Sequence, residues 1–347
     1  MGFDQSYSLG HFSFHCGKEL ADAQINYQIL GELNSDFSNL ILYPSAYGAW
    51  SEDMQWLVGP ILDPSRWCVL LVNQFGNGRS SSPSNSAMGL REQGWLLSHV
   101  DNVRAQKQLL QHLFGDIRPA LIYGWSMGAQ QAYHWGALEP DYCSRLCCLC
   151  GTARTSAHNR LFLLSLRQAL TADPAWDGTA FRGRPEQGLR TFALIYASWA
   201  ASQAFYRQDI HGRLGYSSVE DYVERSWLPA YQRHDPHDLI AMLDCWLAND
   251  LAKATGHGSD LAGALAQIKA KTLVMAGRHD LYFPPADLAH EASFLSRGSF
   301  ELLDSVWGHR AGNPRDDPEQ QAQIRELLSG LMAEPLEYEL SRSLPVF

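Results

Sequence analysis

The segment that decides the fold is residues 120–135, which read Ala-Leu-Ile-Tyr-Gly-Trp-Ser-Met-Gly-Ala-Gln-Gln-Ala-Tyr-His-Trp. The first four residues are apolar and partly β-branched, which predicts a buried strand. The last seven contain no helix breaker, which predicts a helix. Between them, Gly124 and Gly128 flank Ser126 in the pattern G-x-S-x-G, in which a strand turns sharply into a helix and leaves the serine hydroxyl accessible. We therefore predict that Ser126 is a nucleophile at a helix N-terminus, where free N–H groups favour developing negative charge.

A serine nucleophile requires a base, and the base requires an acidic partner that holds its tautomer. In this strand–turn–helix setting, the order along the chain is serine, then Asp or Glu, then His. The first acid beyond a later predicted strand is Asp280, and His309 follows the last predicted strand. The sequence therefore predicts a catalytic triad of Ser126, Asp280 and His309, with Asp304 as the alternative acid.

The tetrahedral intermediate of such a reaction needs two hydrogen-bond donors for its oxyanion. One is expected to be the backbone N–H of Met127, the residue after the nucleophile. The other is expected from the loop at 44–48, where we assign the N–H of Ala46, and the side chain of Tyr47 or Ser45 could add a donor. Losing one such donor typically costs about 3 kcal/mol of transition-state stabilisation.

Strands and helices alternate along most of the chain, which predicts a mostly parallel sheet. Strands are predicted at 12–14, 25–29, 40–43, 68–72, 120–123, 146–150, 272–276 and 300–303, and helices at 100–113, 285–295 and 318–332. Between 152 and 262 only helical patterns occur, with many aromatic residues that we expect mostly to pack against one another. The predicted organisation is a core formed by 1–151 and 263–347, with a helical lid at 152–262 over the carboxyl ends of the strands, where ligands bind in such sheets.

Composition and charge restrict the classes of partner. Of the 347 residues, 46% are hydrophobic, which predicts a substantial core, and the net charge of −10 argues against nucleic acid, whose phosphates favour clustered Lys and Arg. The sequence contains no apolar run of transmembrane length, so no membrane partner is expected.

Seven cysteines are present, and four of them lie within residues 143–150. The C-x-x-C pair Cys147 and Cys150 has no second pair at zinc-site spacing, so this stretch predicts a buried strand with small apolar thiols rather than a metal site. No metal or cofactor is predicted. Unpaired cysteines are typical of a reducing compartment, which predicts a cytoplasmic protein.

Several further segments resemble the homoserine O-acetyltransferase branch of the α/β-hydrolase superfamily. They are Tyr-Gln-Ile-Leu-Gly-Glu-Leu-Asn at 27–34, Gly-Pro at 59–60, Val-Asn-Gln-Phe-Gly-Asn-Gly at 72–78, Ser-Met-Gly-Ala-Gln at 126–130, Asp-Leu-Tyr-Phe-Pro-Pro at 280–285 and Gly-His at 308–309. The resemblance implies an α/β-hydrolase fold with an inserted helical lid, a deep active-site tunnel and often a homodimer formed through the lid. It also implies a ping-pong mechanism, in which Ser126 takes an acyl group and passes it to an acceptor hydroxyl or to water.

Two departures from that branch affect the expected substrate. Members that acetylate homoserine usually follow the catalytic histidine with an Asp that meets the substrate's amino group, whereas Arg310 stands here and would repel an ammonium group. The loop at 44–48 reads Pro-Ser-Ala-Tyr-Gly, in place of the usual His-Ala-Leu-Thr-Gly. Homoserine is therefore not the expected substrate, and Tyr47, Trp125 and Arg310 are candidate substrate-binding residues.

Three functions are consistent with these observations. The first is hydrolysis of an ester or thioester through an acyl-Ser126 intermediate, with water as acceptor because nothing marks an acceptor pocket. The second is transfer of an acetyl group from acetyl-CoA to a small hydroxylated acceptor, using the same catalytic residues. The third is a non-catalytic ligand-binding scaffold, since a fold alone does not imply a function, although the complete triad argues against it.

Overall fold

An eight-stranded sheet forms the centre of the molecule, and the computed structural model describes residues 4–86 and 95–333. The strands are β1 (Gln5–Ser13), β2 (Glu19–Leu30), β3 (Leu40–Pro44), β4 (Cys68–Val72), β5 (Leu121–Trp125), β6 (Arg145–Leu149), β7 (Lys271–Gly277) and β8 (Gly298–Leu303). They lie in the order β1-β2-β4-β3-β5-β6-β7-β8. The β1–β2 and β2–β4 pairs are antiparallel and the remaining pairs are parallel, which confirms the predicted mostly parallel sheet.

The central strands are apolar because both faces of the sheet are covered. Every residue of β3, β4 and β6 is buried, as expected for parallel strands with helices on both sides. Alternate residues of β5 enter different hydrophobic clusters, with Ile122 on one face and Leu121 and Tyr123 on the other. This period of two lets one short strand anchor both layers of the core.

The α-helices of the described residues are between 4 and 16 residues long. They are α1 (Ser51–Met54), α2 (His99–Phe114), α3 (Met127–Leu138), α4 (Ala157–Thr171), α5 (Glu186–Ala200), α6 (Gln203–Arg207), α7 (Ile210–Arg213), α8 (Val219–Tyr222), α9 (Leu228–Gln232), α10 (Pro236–Leu247), α11 (Leu251–Ala254), α12 (Leu261–Ala266), α13 (Pro285–Ala292) and α14 (Pro318–Ala333). Helices α2 and α3 contribute to the cluster on one face of the sheet, and α14 contributes to the cluster on the other face.

The chain between β6 and β7, residues 150–270, is helical and is called the helical connection below. It contains α4–α12 and a π-helical turn at Val223–Trp227, and its only β-type pairings are isolated bridges such as Arg154 with Asp250. Helix α4 begins where the Ser156 hydroxyl accepts the N–H of Asn159, a typical N-cap. The helices expected in this part of the chain are therefore present, while the division of the molecule into core and lid stays a prediction.

Element ends differ from the sequence-based bounds by a few residues. The strand expected to reach residue 150 ends at Leu149, because Cys150 has a φ of 46° that a strand cannot continue. The helix expected to reach residue 295 ends at Ala292. All seven cysteines are free, and those of β6 are buried as predicted. None of the helices within the described ranges is both long and apolar enough to cross a bilayer.

Candidate active site

The turn between β5 and α3 presents Ser126 in a strained conformation. Its φ and ψ are 58° and −123°, a region that residues other than glycine rarely occupy. The turn depends on its two glycines, since a Cβ on Gly124 would collide with the Gly128 carbonyl, and a Cβ on Gly128 would lie 2.7 Å from the Pro44 carbonyl oxygen. The backbone N–H of Ser126 also donates to the Leu149 carbonyl at 2.9 Å, which ties the turn to β6.

Three buried side chains form a hydrogen-bonded line at the carboxyl ends of β5, β7 and β8. The Nε2 atom of His309 lies 3.0 Å from the Oγ of Ser126, and its Nδ1 lies 2.7 Å from the Oδ2 of Asp280. A carboxylate at Nδ1 favours the tautomer with a proton there, which leaves Nε2 free to accept the serine proton. The arrangement can therefore generate a serine nucleophile.

The loop after β7 holds the Asp280 carboxylate through its backbone. The second oxygen, Oδ1, accepts the N–H groups of Tyr282 at 2.8 Å and Phe283 at 3.1 Å. These two backbone donors fix the orientation of the carboxylate. The alternative acid, Asp304, is mostly exposed, and its carboxylate instead pairs with Arg278 at 2.6 Å.

Aromatic rings hold the His309 imidazole from several sides. The Trp125 ring stacks on it with centroids 5.1 Å apart and planes inclined by 26°, and the Tyr282 ring lies 4.6 Å away. The Trp125 indole N–H also donates to the His309 carbonyl at 3.4 Å. Trp125, a candidate for substrate contact, therefore packs against the histidine and restricts its orientation.

The loop after β3 lies against the N-terminus of α3. The Gln131 side chain donates to the Ser45 carbonyl at 2.9 Å, and the Gln74 side chain donates to the Ala46 carbonyl at 3.0 Å. Within the described ranges, the backbone N–H groups of Met127 and Ala46 donate to no protein acceptor. Two free backbone donors, one from each of these segments, have the composition of an oxyanion site.

The hydroxyl of Tyr47 is not available as the additional donor considered from the sequence. It donates to the Leu239 carbonyl in α10 at 3.1 Å, and burial raises the pKa of this phenol well above its usual value. The Tyr47 ring stacks on Tyr196 of α5 with a centroid distance of 5.9 Å. A buried phenol needs a hydrogen-bond acceptor, and the Leu239 carbonyl of α10 supplies one.

Rings of the helical connection also contact the acid loop. Phe162 of α4 stacks on Tyr282 at 4.4 Å, and Trp246 of α10 stacks on Phe283 at 5.4 Å. The aromatic residues of this region were expected mostly to pack against one another. Trp246 packs on Phe162 within the region, and its ring is also shared with the loop that carries Asp280.

The side chain of Arg310 is already paired. Its guanidinium lies 3.1 Å from the Asp316 carboxylate and 5.0 Å from the centre of the Trp307 ring. Because Asp316 neutralises much of this charge, the expected repulsion of a cationic substrate is weakened. The Arg310 guanidinium, directly after His309 in the chain, is therefore partly buried and ion-paired.

Buried histidines elsewhere are neutral packing residues. Burial lowers the pKa of His99 to about 3 and that of His134 to about 4. The Nε2 of His99 lies 3.0 Å from the Gln130 side-chain oxygen, and the Nδ1 of His134 lies 2.9 Å from the Gln130 carbonyl oxygen. His99 therefore holds α3 from the neighbouring helix α2, whereas His134 bonds within α3 itself.

One group within the described residues has the side-chain types of a metal site. It consists of Cys150, Asp280 and His309, whose ligand atoms all lie within 4.8 Å of one another. The carboxylate and imidazole of this group already share a hydrogen bond of 2.7 Å, which is the arrangement that the serine chemistry needs. The proximity of Cys150 has no counterpart in the sequence, where 130 positions separate it from the acid.

Sequence reasoning also missed Glu291 in α13. Its carboxylate accepts the N–H groups of Ala153 at 2.7 Å and Arg154 at 3.2 Å, at the start of the helical connection. Burial raises the pKa of Glu291 to about 8, against an ordinary value of 4.5. A single acidic residue in an amphipathic helix carries no sequence signal for such a role.

Known proteins share this architecture and most of this sequence length. The family model described as alpha/beta hydrolase fold matches residues 39–311. The ethyl acetate hydrolase of Pseudomonas veronii is 35% identical, over 94% of this chain and 95% of its own length. The homoserine O-acetyltransferase of Trichormus variabilis is 26% identical, over 86% of this chain and 87% of its own length.

Among solved structures, that of the acetyl esterase MekB is similar over its whole length. The TM-score is 0.90 at 34% sequence identity, and the match covers 96% of this chain and 97% of that chain. The esterase relatives therefore resemble the chain more than the acetyltransferase does, and the predicted membership of the superfamily is confirmed. A family model that spans most of the chain, together with relatives of this identity, establishes that the protein is a serine hydrolase of the α/β-hydrolase fold family.

Proposed function

We propose that the protein hydrolyses small carboxylic esters, acetyl esters above all, through an acyl-Ser126 intermediate. The observation that carries the proposal is the buried line in which His309 lies 3.0 Å from the Ser126 hydroxyl and 2.7 Å from Asp280. Two relatives, named an ethyl acetate hydrolase and an acetyl esterase, support acetyl as the acyl group.

Acylation begins when His309 Nε2 takes the Ser126 proton and Oγ attacks the ester carbonyl carbon. The negative charge that develops on the carbonyl oxygen is stabilised by the N–H groups of Met127 and Ala46. When the tetrahedral intermediate collapses, the imidazolium gives its proton to the departing alkoxide, so an alcohol leaves. Asp280 stays ionised throughout and stabilises the imidazolium.

Deacylation repeats these steps with water as the nucleophile. His309 takes a proton from water as its oxygen attacks the acyl carbon, and Ser126 then leaves with that proton. The products are a carboxylic acid and the free enzyme. The same two backbone donors serve both tetrahedral intermediates, since both place the oxyanion at one position.

Two contacts of the helical connection support its role as a lid over the site, for which we keep the predicted bounds 152–262. The Tyr282 hydroxyl donates to the Tyr196 carbonyl of α5 at 3.0 Å. The Arg233 guanidinium donates to the Gly48 carbonyl at 2.8 Å, next to the proposed oxyanion loop. These contacts attach the helical connection to both sides of the triad. The large aromatic rings of the connection favour a small acyl group. The Tyr47 ring packs with these aromatic rings, and we assign it to the wall of the site that binds the acyl group.

Acyl transfer is the second candidate function, because the acetyltransferase relative shares the fold and the acyl-CoA class of substrate remains chemically accessible to the same triad. Arg310 argues against homoserine as acceptor, since an Asp is usual there in that branch. We favour water, because nothing in the sequence marks a pocket for a second, acceptor substrate. A ligand-binding scaffold without catalysis is the third candidate, and it predicts that Ser126 is unreactive.

A homodimer through the lid is part of the proposal. Exposed leucines lie on the outer faces of α4 and α5, where Leu161 is 62% exposed and Leu194 is 50% exposed. The double variant Leu161→Asp/Leu194→Asp is expected to be monomeric by light scattering, while the control Phe37→Asp, at another exposed apolar site, keeps the wild-type mass. A monomeric wild-type protein would remove this part of the proposal. We also place the protein in the cytoplasm, which its free cysteines support.

The experiment that tests the function has two arms. In the first, p-nitrophenyl acetate, butyrate and octanoate are supplied with water as the only acceptor, and hydrolysis is expected to be fastest for acetate. In the second, acetyl-CoA is supplied with and without small alcohols. Release of CoA that depends strictly on an alcohol would replace hydrolysis by transfer, and failure of a fluorophosphonate to label Ser126 would support the scaffold.

A further inference from the structure

Cys150 occupies an unusual backbone position at the end of β6. Its φ is 46°, and within the described ranges only Phe37, Ser126 and Asp209 are further non-glycine residues with positive φ. The residue is fully buried, and its N–H donates to the Met275 carbonyl at 2.8 Å. Such a conformation costs about 1 kcal/mol or more for a side chain with a Cβ, whereas glycine adopts it freely. Because glycine would avoid this cost, we expect the thiol to contribute an interaction that glycine lacks.

The Cys150 thiol lies where the loops of the triad meet. Its sulfur is within 4.8 Å of the Asp280 carboxylate and of the His309 imidazole. On the opposite side the backbone approaches closely, since a Cβ on Gly312 would lie 2.8 Å from this sulfur. The thiol therefore fills the space between the acid loop after β7 and the histidine loop after β8.

The chemistry of the thiol makes it a hydrogen-bond donor. Burial raises the pKa of Cys150 well above its usual value, and the nearby charge of Asp280 raises the pKa further. The thiol thus keeps its proton, which it can donate to an acceptor beside it. An ionised carboxylate offers about four acceptor sites, and those of Asp280 serve Tyr282, Phe283 and His309 as well.

We propose that Cys150 is a positioning residue of the triad, whose S–H group donates to the Asp280 carboxylate and whose sulfur sets the spacing of the acid and histidine loops. The proposal rests on the proposed roles of Asp280 and His309. A thiol is a weak donor, so it can orient the carboxylate without competing strongly for the charge that the imidazolium needs. Cys150 itself touches no reacting atom.

The test compares truncations of cysteines in and next to one strand. Cys150→Ala is expected to lower kcat for p-nitrophenyl acetate by about 3–10-fold with little change in KM, because a misplaced carboxylate affects the transition state more than substrate binding. Cys150→Ser restores a donor and is expected to recover most of the lost kcat. Cys147→Ala, which truncates a fully buried thiol within β6, is the matched control and should keep the wild-type kcat.

The pH profile separates positioning from mere packing. The thiol donor and the His309 imidazolium share the Asp280 carboxylate, so removal of the thiol strengthens the attraction between Asp280 and the protonated His309. The acid limb of kcat/KM is therefore expected to move to higher pH by about half a unit in Cys150→Ala. It should remain in place in Cys147→Ala and return toward the wild-type position in Cys150→Ser.

Two further controls keep the outcome decisive. If Cys150→Ala does not fold, Cys150→Gly removes the thiol in a residue that adopts the positive φ without strain, and the same changes in kcat and acid limb are expected. A wild-type kcat and acid limb in the folded variant, or an equal shift in Cys147→Ala, would overturn the proposal. If Ser126→Ala retains full activity, the proposed function fails instead, so the two failures are distinguishable.

Discussion

The strand ends and the helical connection contribute to the site in different ways. At the strand ends, hydrogen bonds of defined length hold each group, such as the 2.7 Å contact between His309 and Asp280. The helical connection contributes mainly ring packing, such as Phe162 on Tyr282 and Tyr196 on Tyr47. Hydrogen bonds fix direction, whereas ring contacts fix volume. We therefore expect changes at the strand ends to abolish turnover and changes in the helical connection to alter the choice of acyl group.

The largest effect is expected from Ser126→Ala, which removes the nucleophile at the end of β5. The turnover number should fall by about 10⁶-fold, as in triads whose members act as a unit. The measurement is p-nitrophenyl acetate hydrolysis, with circular dichroism as the control for folding. Substantial remaining activity would show that the nucleophile lies elsewhere. It would also contradict the expectation that changes at the strand ends abolish turnover.

The second prediction compares two acids that follow neighbouring strands. Asp280→Asn should lower kcat by about 10⁴-fold, because the amide favours the wrong tautomer of His309. Asp304→Asn is the matched control and should stay within about twofold of the wild type, since its carboxylate pairs with Arg278 at a mostly exposed site. If the two variants exchange these results, the acid role belongs to Asp304.

The third prediction concerns Glu291, which joins the two regions through the N–H groups of Ala153 and Arg154. Burial raises its pKa from 4.5 to about 8 in the folded protein, so the folded state binds this proton more tightly than the unfolded state. Its contribution to stability is therefore full below about pH 4.5 and is lost as the pH rises through about 8.

The test of this prediction is the stability of Glu291→Gln, which cannot titrate. Between about pH 6 and pH 8 the wild-type protein should lose about 2–3 kcal/mol relative to the variant, since each unit of differential titration is worth about 1.4 kcal/mol. Urea unfolding at several pH values measures the difference. Parallel curves for the two proteins would mean that Glu291 does not titrate in this range.

The smallest effect is expected within the helical connection. Tyr196→Ala opens space beside Tyr47 and Tyr282, so the ratio of kcat/KM for butyrate over acetate should rise by about 10-fold, as a methylene in an apolar pocket is worth about 1–3 kcal/mol. Phe181→Ala is the control, since this ring contacts Trp176 and His237 rather than residues near the triad. A drop in kcat without a change in selectivity would indicate that the connection supports catalysis directly.

Much of the strand region could be predicted from sequence because its signals are local. The G-x-S-x-G turn at Ser126 specifies its own strand and helix, and the parallel arrangement brings the ends of successive strands to one edge of the sheet. That rule placed Asp280 and His309 on loops that the structure brings together with Ser126. The boundaries were less predictable, since nothing local shows that Cys150 leaves the strand with a positive φ.

The helical connection was predictable only as a class of structure. Its helical periodicity is visible in the sequence, but the partner of each ring is set by tertiary packing. Trp246 contacts Phe162 within the connection but also stacks on Phe283 outside it, and the Tyr47 hydroxyl donates to α10 rather than toward the site. The partners come from segments nearly 40 to 200 residues apart, whose proximity depends on how the helices cross.

The sequence by itself determined the nucleophile turn, the order of serine, acid and histidine, and the alternation that produces a mostly parallel sheet. The turn and the single strands and helices depend on backbone preferences and apolar patterns within about a dozen residues. The order of the triad follows from the chain order that accompanies such a turn. Only the tertiary structure decided the proximity of the Cys150 sulfur to Asp280, the buried link from Glu291 to the helical connection and the rings around Tyr196. These depend on the three-dimensional approach of distant segments, which close packing of the core selects and no local pattern encodes.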